Sequence, residues 1–282
     1  MSDTISSKSE HKYSLAHLTV LGCPPPEMTY IAARAGFEYV SLRPIALGTA
    51  GEPKYLLAED KKMMAETKRA LADTGLKVND VELARVVQEK TPKDYLPALE
   101  VAGELGAKNM ISSAWTPEKN YIIDFYGELC DLAKPYGVAV SFEFVTWSAV
   151  KTLKEAVEVV SAVKKDNSGI LIDTLHFSRS RVKLEELDDL PREWIHFIHL
   201  CDGPKEVPAM DDNEALIHTG RAERLYIGEG GIDIAGIVNR LPEVPLSMEL
   251  PHEARAKEYG YAEHTFRCIE SAKKYFAAHP RP

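Results

Sequence analysis

Residues 134–144 read KPYGVAVSFEF. A glycine ends the preceding helical segment, a β-branched and aromatic run follows, and one acid, Glu143, interrupts the apolar end of that run. The same pattern recurs as AARAG before FEYVSL (32–42), LADTG before LKVNDVEL (71–83) and AGELG before AKNMI (102–111). Strand candidates begin near Leu15, Phe37, Leu76, Lys108, Val138, Gly169, Trp194 and Pro245, and each is followed by helical periodicity. Alternating strand and helix signals mark βα units and a parallel sheet, and eight units predict an α/β fold of the (β/α)8 TIM barrel type, a closed parallel sheet. A doubly wound open sheet usually has fewer strands and often a glycine-rich phosphate loop after the first, where this chain carries LTVLGCPPPE (18–27). A barrel takes roughly 250 residues. The 282-residue chain is therefore expected to hold a polar tail over 1–12, a single barrel over 13–282, and a long loop over 202–231 after strand seven. No linker or repeat marks a second domain.

With 45% hydrophobic and 27% charged residues, the chain has an ordinary globular composition, and disorder is expected only at the ends. A net charge of −9 supplies no global basic field for phosphates, so nucleic acid is not expected as a partner. The longest apolar runs are strand-sized and the first dozen residues are polar, which predicts a cytoplasmic protein without a membrane partner. Cys23, Cys130, Cys201 and Cys268 are scattered and form no CxxC pair; free thiols are expected. Whether the chain forms a homo-oligomer stays open.

Active sites of such barrels gather at the C-terminal ends of the strands. Four polar residues break apolar runs there: Glu143 in VAVSFEF, Asp173 in ILIDT, His199 in FIHLCD and Glu249 in PLSMEL. Period-two alternation sets Ser141 with Glu143, Leu171 with Asp173, Phe197 with His199 and Ser247 with Glu249. Three inward carboxylates are costly without a compensating charge, and no lysine or arginine on those strands offers one, so a divalent cation is the simplest compensation. Three oxygen donors and one imidazole suit Mn2+ first, and Mg2+, Co2+ or Zn2+ as well. For any one of these residues alone, a hydrogen-bonded core role is the ordinary reading.

The order of Glu143, Asp173, His176, His199, the HLCDG and GEGGID segments and Glu249 resembles the sugar phosphate isomerase/epimerase family of xylose-isomerase-like TIM barrels, over nearly the whole chain. That resemblance implies Glu143, Asp173, His199 and Glu249 as metal ligands. It also implies Glu143 and Glu249 as the catalytic pair that removes and returns a proton, and His176 and Arg224 as substrate contacts. Arg43, in SLRP, is a further candidate of the same kind. Glu82, read as the end of strand three, could bind a substrate hydroxyl, and Trp115 and Trp147 could wall the pocket. The implied activity is isomerisation or epimerisation of a sugar, a cyclic polyol ketone or a related hydroxy-carbonyl compound. The metal would acidify the C–H beside a carbonyl and stabilise the resulting enediolate. Two departures blur the substrate: Val145 stands where many relatives carry histidine, and Cys201 where some carry lysine.

Expulsion of a β-substituent from the same enediolate is the first alternative, a dehydratase or lyase acting on a dehydroshikimate- or inosose-like substrate. Apurinic endonucleases share this barrel but need further histidines near strands three and four, where the chain reads NDVELA and NMISSAW. A barrel that binds without catalysing is opposed by the intact ligand set. The 202–231 loop is long for an unstructured connection and is expected to cover the site, with Arg224 reaching the substrate.

Overall fold

The computed structural model describes residues 11–48 and 52–281, so residues 1–10 of the expected tail lie outside the described residues. In chain order the elements are β1 (Tyr13–Leu15), α1 (Pro25–Ala35), β2 (Tyr39–Leu42), α2 (Lys61–Thr74), β3 (Lys77–Val86), α3 (Leu96–Leu105), β4 (Asn109–Ala114), α4 (Lys119–Ala133) and β5 (Ala139–Glu143). They continue with α5 (Leu153–Val163), β6 (Ser168–Asp173), α6 (Thr174–Arg179), β7 (Ile198–Leu200), α7 (Asn213–Ala222), α8 (Ile234–Arg240), β8 (Leu246–Met248) and α9 (Glu253–Ala278). The strands pair in sequence order into one closed barrel, parallel throughout. The seam joins β1 to β8 at Tyr13–Leu246, Ser14–Ser247 and Leu15–Met248.

The glycines that mark the helix-to-strand joints, Gly36, Gly75, Gly106 and Gly137, all have left-handed φ between 68° and 90°, a conformation that ends a helix at little cost only without a Cβ. Outward strand residues such as Val140, Phe142 and Ile172 pack in the layer between sheet and helices. Inward residues Ile111, Leu171 and Phe197, with Leu83 against them, form a separate apolar plug inside the barrel. The alternation expected for strands six and seven therefore holds, and the plug floors whatever lies above it.

Three expected boundaries are corrected. Strand three does not end at Glu82 but runs to Val86, because a register shift against β4 between Val81 and Ala84 interrupts its alternation without ending the pairing. Strand seven begins at Ile198 instead of near Trp194, since Arg192–Trp194 forms a 3-10 turn after Pro191. The 202–231 segment is not an unstructured loop: it contains α7, capped by Asp212, whose side chain accepts from the Ala215 N–H at 3.1 Å. The base of that segment is tied by Asp202, whose carboxylate accepts backbone N–H groups of Gly203 (2.8 Å), Gly228 (3.1 Å), Gly230 (2.9 Å) and Ile232 (3.1 Å).

Candidate metal centre

Glu143 closes β5, Asp173 closes β6, His199 lies in β7, and Glu249 follows β8, so adjacent strands deliver the four residues to the C-terminal mouth. All four are buried, and each offers a ligand atom within 4.8 Å of the others. Asp173 divides its oxygens between two tasks. Its Oδ1 caps α6 by accepting from Leu175 N–H at 2.6 Å and His176 N–H at 3.1 Å, which leaves Oδ2 facing the centre.

The His199 Nδ1 atom lies 3.3 Å from Glu249 Oε2, 3.6 Å from Glu143 Oε1 and 3.9 Å from Asp173 Oδ2. Neither imidazole nitrogen, nor Glu143 Oε1, has a hydrogen-bond partner among the described residues. Three carboxylates around one unsatisfied imidazole form a donor set that fits a divalent cation, with three carboxylate oxygens and one nitrogen to offer it.

The centre also contains a cation of its own. Arg224, 2% exposed, donates to Asp173 Oδ2 at 2.7 Å, pairs with Glu249 Oε2 at 2.9 Å, and donates through Nε to the Gly220 carbonyl at 2.9 Å. The strands offer no basic side chain to these carboxylates, as expected, but Arg224 in the segment after β7 answers two of them. Burial pushes the Glu143 carboxyl up to about 7, with His199 opposing and Glu249 adding to the rise. Burial works in the same direction on Glu249, yet His199 and Arg224 hold its carboxyl well below the usual carboxylate range. For His199, burial disfavours the charged ring, but Glu249 and Glu143 raise its proton affinity well above the ordinary value. A bound metal would displace that proton, since a ligating imidazole is neutral.

Above the centre lies a cavity of about 260 Å3. Glu143, His199 and Glu249 open onto it, and so do the expected contacts Arg43, Glu82, His176 and Arg224 and both tryptophans. Arg43, following β2, is paired with Glu82 at 3.4 Å and Glu52 at 3.6 Å. His176 receives the Thr146 N–H at Nδ1 (3.4 Å), which places the ring proton on Nε2, and burial lowers its pKa to about 4, so the ring is neutral at pH 7. Its neighbour Trp147 packs edge-on with ring centroids 4.8 Å apart. A methyl group at Gly220 would collide with that indole, so α7 can approach the wall only because residue 220 has no side chain. Two arginines that line the cavity were not among the expected site residues: Arg85, near the end of β3, and Arg221, in the last turn of α7. The hint for Arg85 lies in the continuing ARV of strand three; Arg221 had none beyond its neighbourhood to Arg224.

A closed parallel barrel with an acid-and-histidine centre at the C-terminal ends of its strands defines a class of barrel enzymes whose sites are built in this way. The sequence model of the xylose isomerase-like TIM barrel family matches residues 30–271, and the chain belongs to that family. It is 27% identical over 191 residues to an inosose isomerase of Bacillus subtilis, a match covering 64% of this chain and 66% of that protein. It is 29% identical over 140 residues to a 3-dehydroshikimate dehydratase of Pseudomonas aeruginosa, covering 47% of this chain and 21% of that much longer protein. Among solved structures, the IOLI protein with a bound zinc atom superposes with a TM-score of 0.78 at 20% identity, covering 95% of this chain and 99% of that one, a likeness of fold. Among the described residues no helix is long and apolar enough to cross a membrane.

Proposed function

We infer that the chain is a divalent-metal-dependent isomerase or epimerase of a sugar, a cyclic polyol ketone or a related hydroxy-carbonyl compound, working by proton transfer through an enediolate. The observation that carries this reading is the set of unpartnered polar atoms converging on one cavity: Glu143 Oε1, Glu82 Oε1, Trp147 Nε1 and both nitrogens of His199. Buried polar atoms are nearly always satisfied, so a wall with this many orphans is built to meet a polar, multiply hydroxylated ligand and a cation.

In this reading Glu143, Asp173, His199 and Glu249 hold the metal, with Mn2+ the first choice. The bound cation supplies Lewis acidity, which polarises a substrate carbonyl and makes the neighbouring C–H easier to ionise. Glu143 and Glu249, which lie 3.6 and 3.3 Å from His199 Nδ1, exchange the proton, one removing it and the other returning it. Arg224 holds Asp173 Oδ2 and Glu249 Oε2 in place, while His176, Arg43 and Glu82 bind substrate oxygens, His176 as a neutral donor through Nε2. The similarity to an inosose isomerase supports a cyclic polyol ketone; the similarity to a dehydroshikimate dehydratase supports elimination from the same intermediate as the second reading.

The test is incubation of the metal-loaded protein with ketoses, inososes and cyclic keto acids in deuterated water, followed by NMR. Deuterium beside the carbonyl or on the neighbouring carbon is the expected result, and loss of water with a new double bond selects the second reading. Chelation should abolish turnover, and Glu143→Gln or Glu249→Gln should lower kcat at least about a hundredfold. Full activity in a strong chelator, or products with every C–H proton in place, would exclude both readings.

A further inference from the structure

Four arginines line the cavity, and they fall into two pairs. Arg224 is held by Asp173 and Glu249, and Arg43 by Glu82 and Glu52. Arg85 and Arg221 form no ion pair among the described residues. The remaining acid on this wall, Glu253, pairs with neither of them at ion-pair distance. Arg85 is packed with its guanidinium carbon 4.5 Å from the centre of the Trp115 ring, and its buried Nε has no hydrogen-bond partner. Stacking on an indole fixes the plane of a guanidinium without using its N–H groups, so the fork remains available. Burial, then Arg221 and Arg43, lower the proton affinity of Arg85, while Glu52 works the other way.

Arg85 and Arg221 line the same cavity without an acid at ion-pair distance, and a guanidinium whose plane is held and whose buried Nε lacks a partner is a ready seat for an anion. We propose that Arg85 and Arg221 form an anion-binding subsite that grips a carboxylate or phosphate on the substrate, away from its reacting carbon. This deepens the isomerase reading and rests on it for the identity of the reacting end. The acidic group lies toward the β3 and α7 side of the mouth, and the hydroxy-carbonyl end faces Glu143 and Glu249. A guanidinium fork matches either oxyanion in bidentate fashion, so the shared chemistry is an oxyanion on a polyhydroxylated frame.

The experiment compares three probes on the manganese-loaded protein by calorimetry: myo-inositol, which is uncharged; quinate, a polyhydroxylated ring with a carboxylate; and myo-inositol 1-phosphate. One of the two anions is expected to bind at least about tenfold more tightly than myo-inositol, which identifies the oxyanion, and Arg85→Gln should bring that preference to within about twofold. Arg221→Gln, at an exposed helix position that the fold does not need, should reduce it as well and guards against misfolding of the Arg85 variant. Metal content, measured in parallel, should stay at the level of the parent protein. Equal binding of all three probes, or an anion preference that survives both substitutions, overturns the subsite. An anion preference without turnover of any hydroxy-carbonyl compound sinks the isomerase reading and leaves the subsite standing; metal-dependent turnover without the preference does the reverse.

Discussion

Arg224 spans Asp173 Oδ2 and Glu249 Oε2 from a position 51 residues beyond the first and 25 before the second. Removing a buried cation from such a network strands two carboxylates, and the cost of an uncompensated buried charge is about 3–5 kcal/mol. Arg224→Gln should therefore lower the unfolding free energy of the metal-free protein by about that amount. Saturating Mn2+ should recover part of the loss, because the cation replaces the missing positive charge between the same oxygens. Urea unfolding with and without metal checks this, and an equal loss in both conditions would show that Arg224 and the cation do not share the carboxylates.

The 202–231 segment is fastened at its base. Asp202 takes four backbone N–H groups, and two isolated bridges, Asp202 with Leu225 and Glu223 with His252, bind the chain on either side of Arg224. Asp202→Ala leaves those donors unsatisfied, so a loss of about 2–4 kcal/mol is expected, together with faster proteolysis between α7 and α8. Gly220→Ala acts on the other side of the same segment: the added methyl must move Trp147 or α7, and KM should rise several-fold while metal content is unchanged. Unaltered kinetics would mean that the indole can shift without disturbing the substrate. The four strand-end residues were legible because each polar side chain interrupts an apolar run in a strand whose alternation is regular, and one rule of direction then suffices. Arg85 was hidden because β3 breaks that rule at the shift between Val81 and Ala84, so Glu82 and Arg85, three residues apart, both line the cavity. The partnership of Arg224 was illegible for a different reason: composition places an arginine in a segment, but only the path of the folded chain decides which carboxylate it meets.

At the scale of the whole molecule, two histidines outside the four-residue centre couple stability to pH. His17 is buried with Nε2 2.9 Å from the Cys23 carbonyl, and its Nδ1 accepts the Arg43 N–H; His264 lies between the Tyr226 hydroxyl and the Leu250 carbonyl. Burial lowers both from 6.5 to about 4. The folded protein keeps these rings neutral while the unfolded chain protonates them, so their stabilisation is complete above pH 6.5 and declines as pH falls toward 4. The gap corresponds to on the order of 3 kcal/mol per ring. Urea midpoints should fall between pH 7.5 and 5, and His264→Gln should flatten that fall; an identical slope in the variant would place the acid sensitivity elsewhere.

The seam between β1 and β8 has a consequence for how the molecule comes into being. Tyr13 pairs with Leu246, and Thr19 Oγ1 donates to the Met248 carbonyl, so contacts spanning well over two hundred residues shut the barrel. As the chain leaves the ribosome, its first strand waits with one edge bare until the eighth has emerged, and that edge is the nascent protein's exposure to faulty association. Glu249 emerges with the eighth strand, one residue beyond Met248, so the four-residue centre is completed in the same event that closes the sheet. On the proposed function, cation capture would then be a step of maturation, and a chain stalled before Leu246 is at once an open sheet and a centre lacking one of its carboxylates.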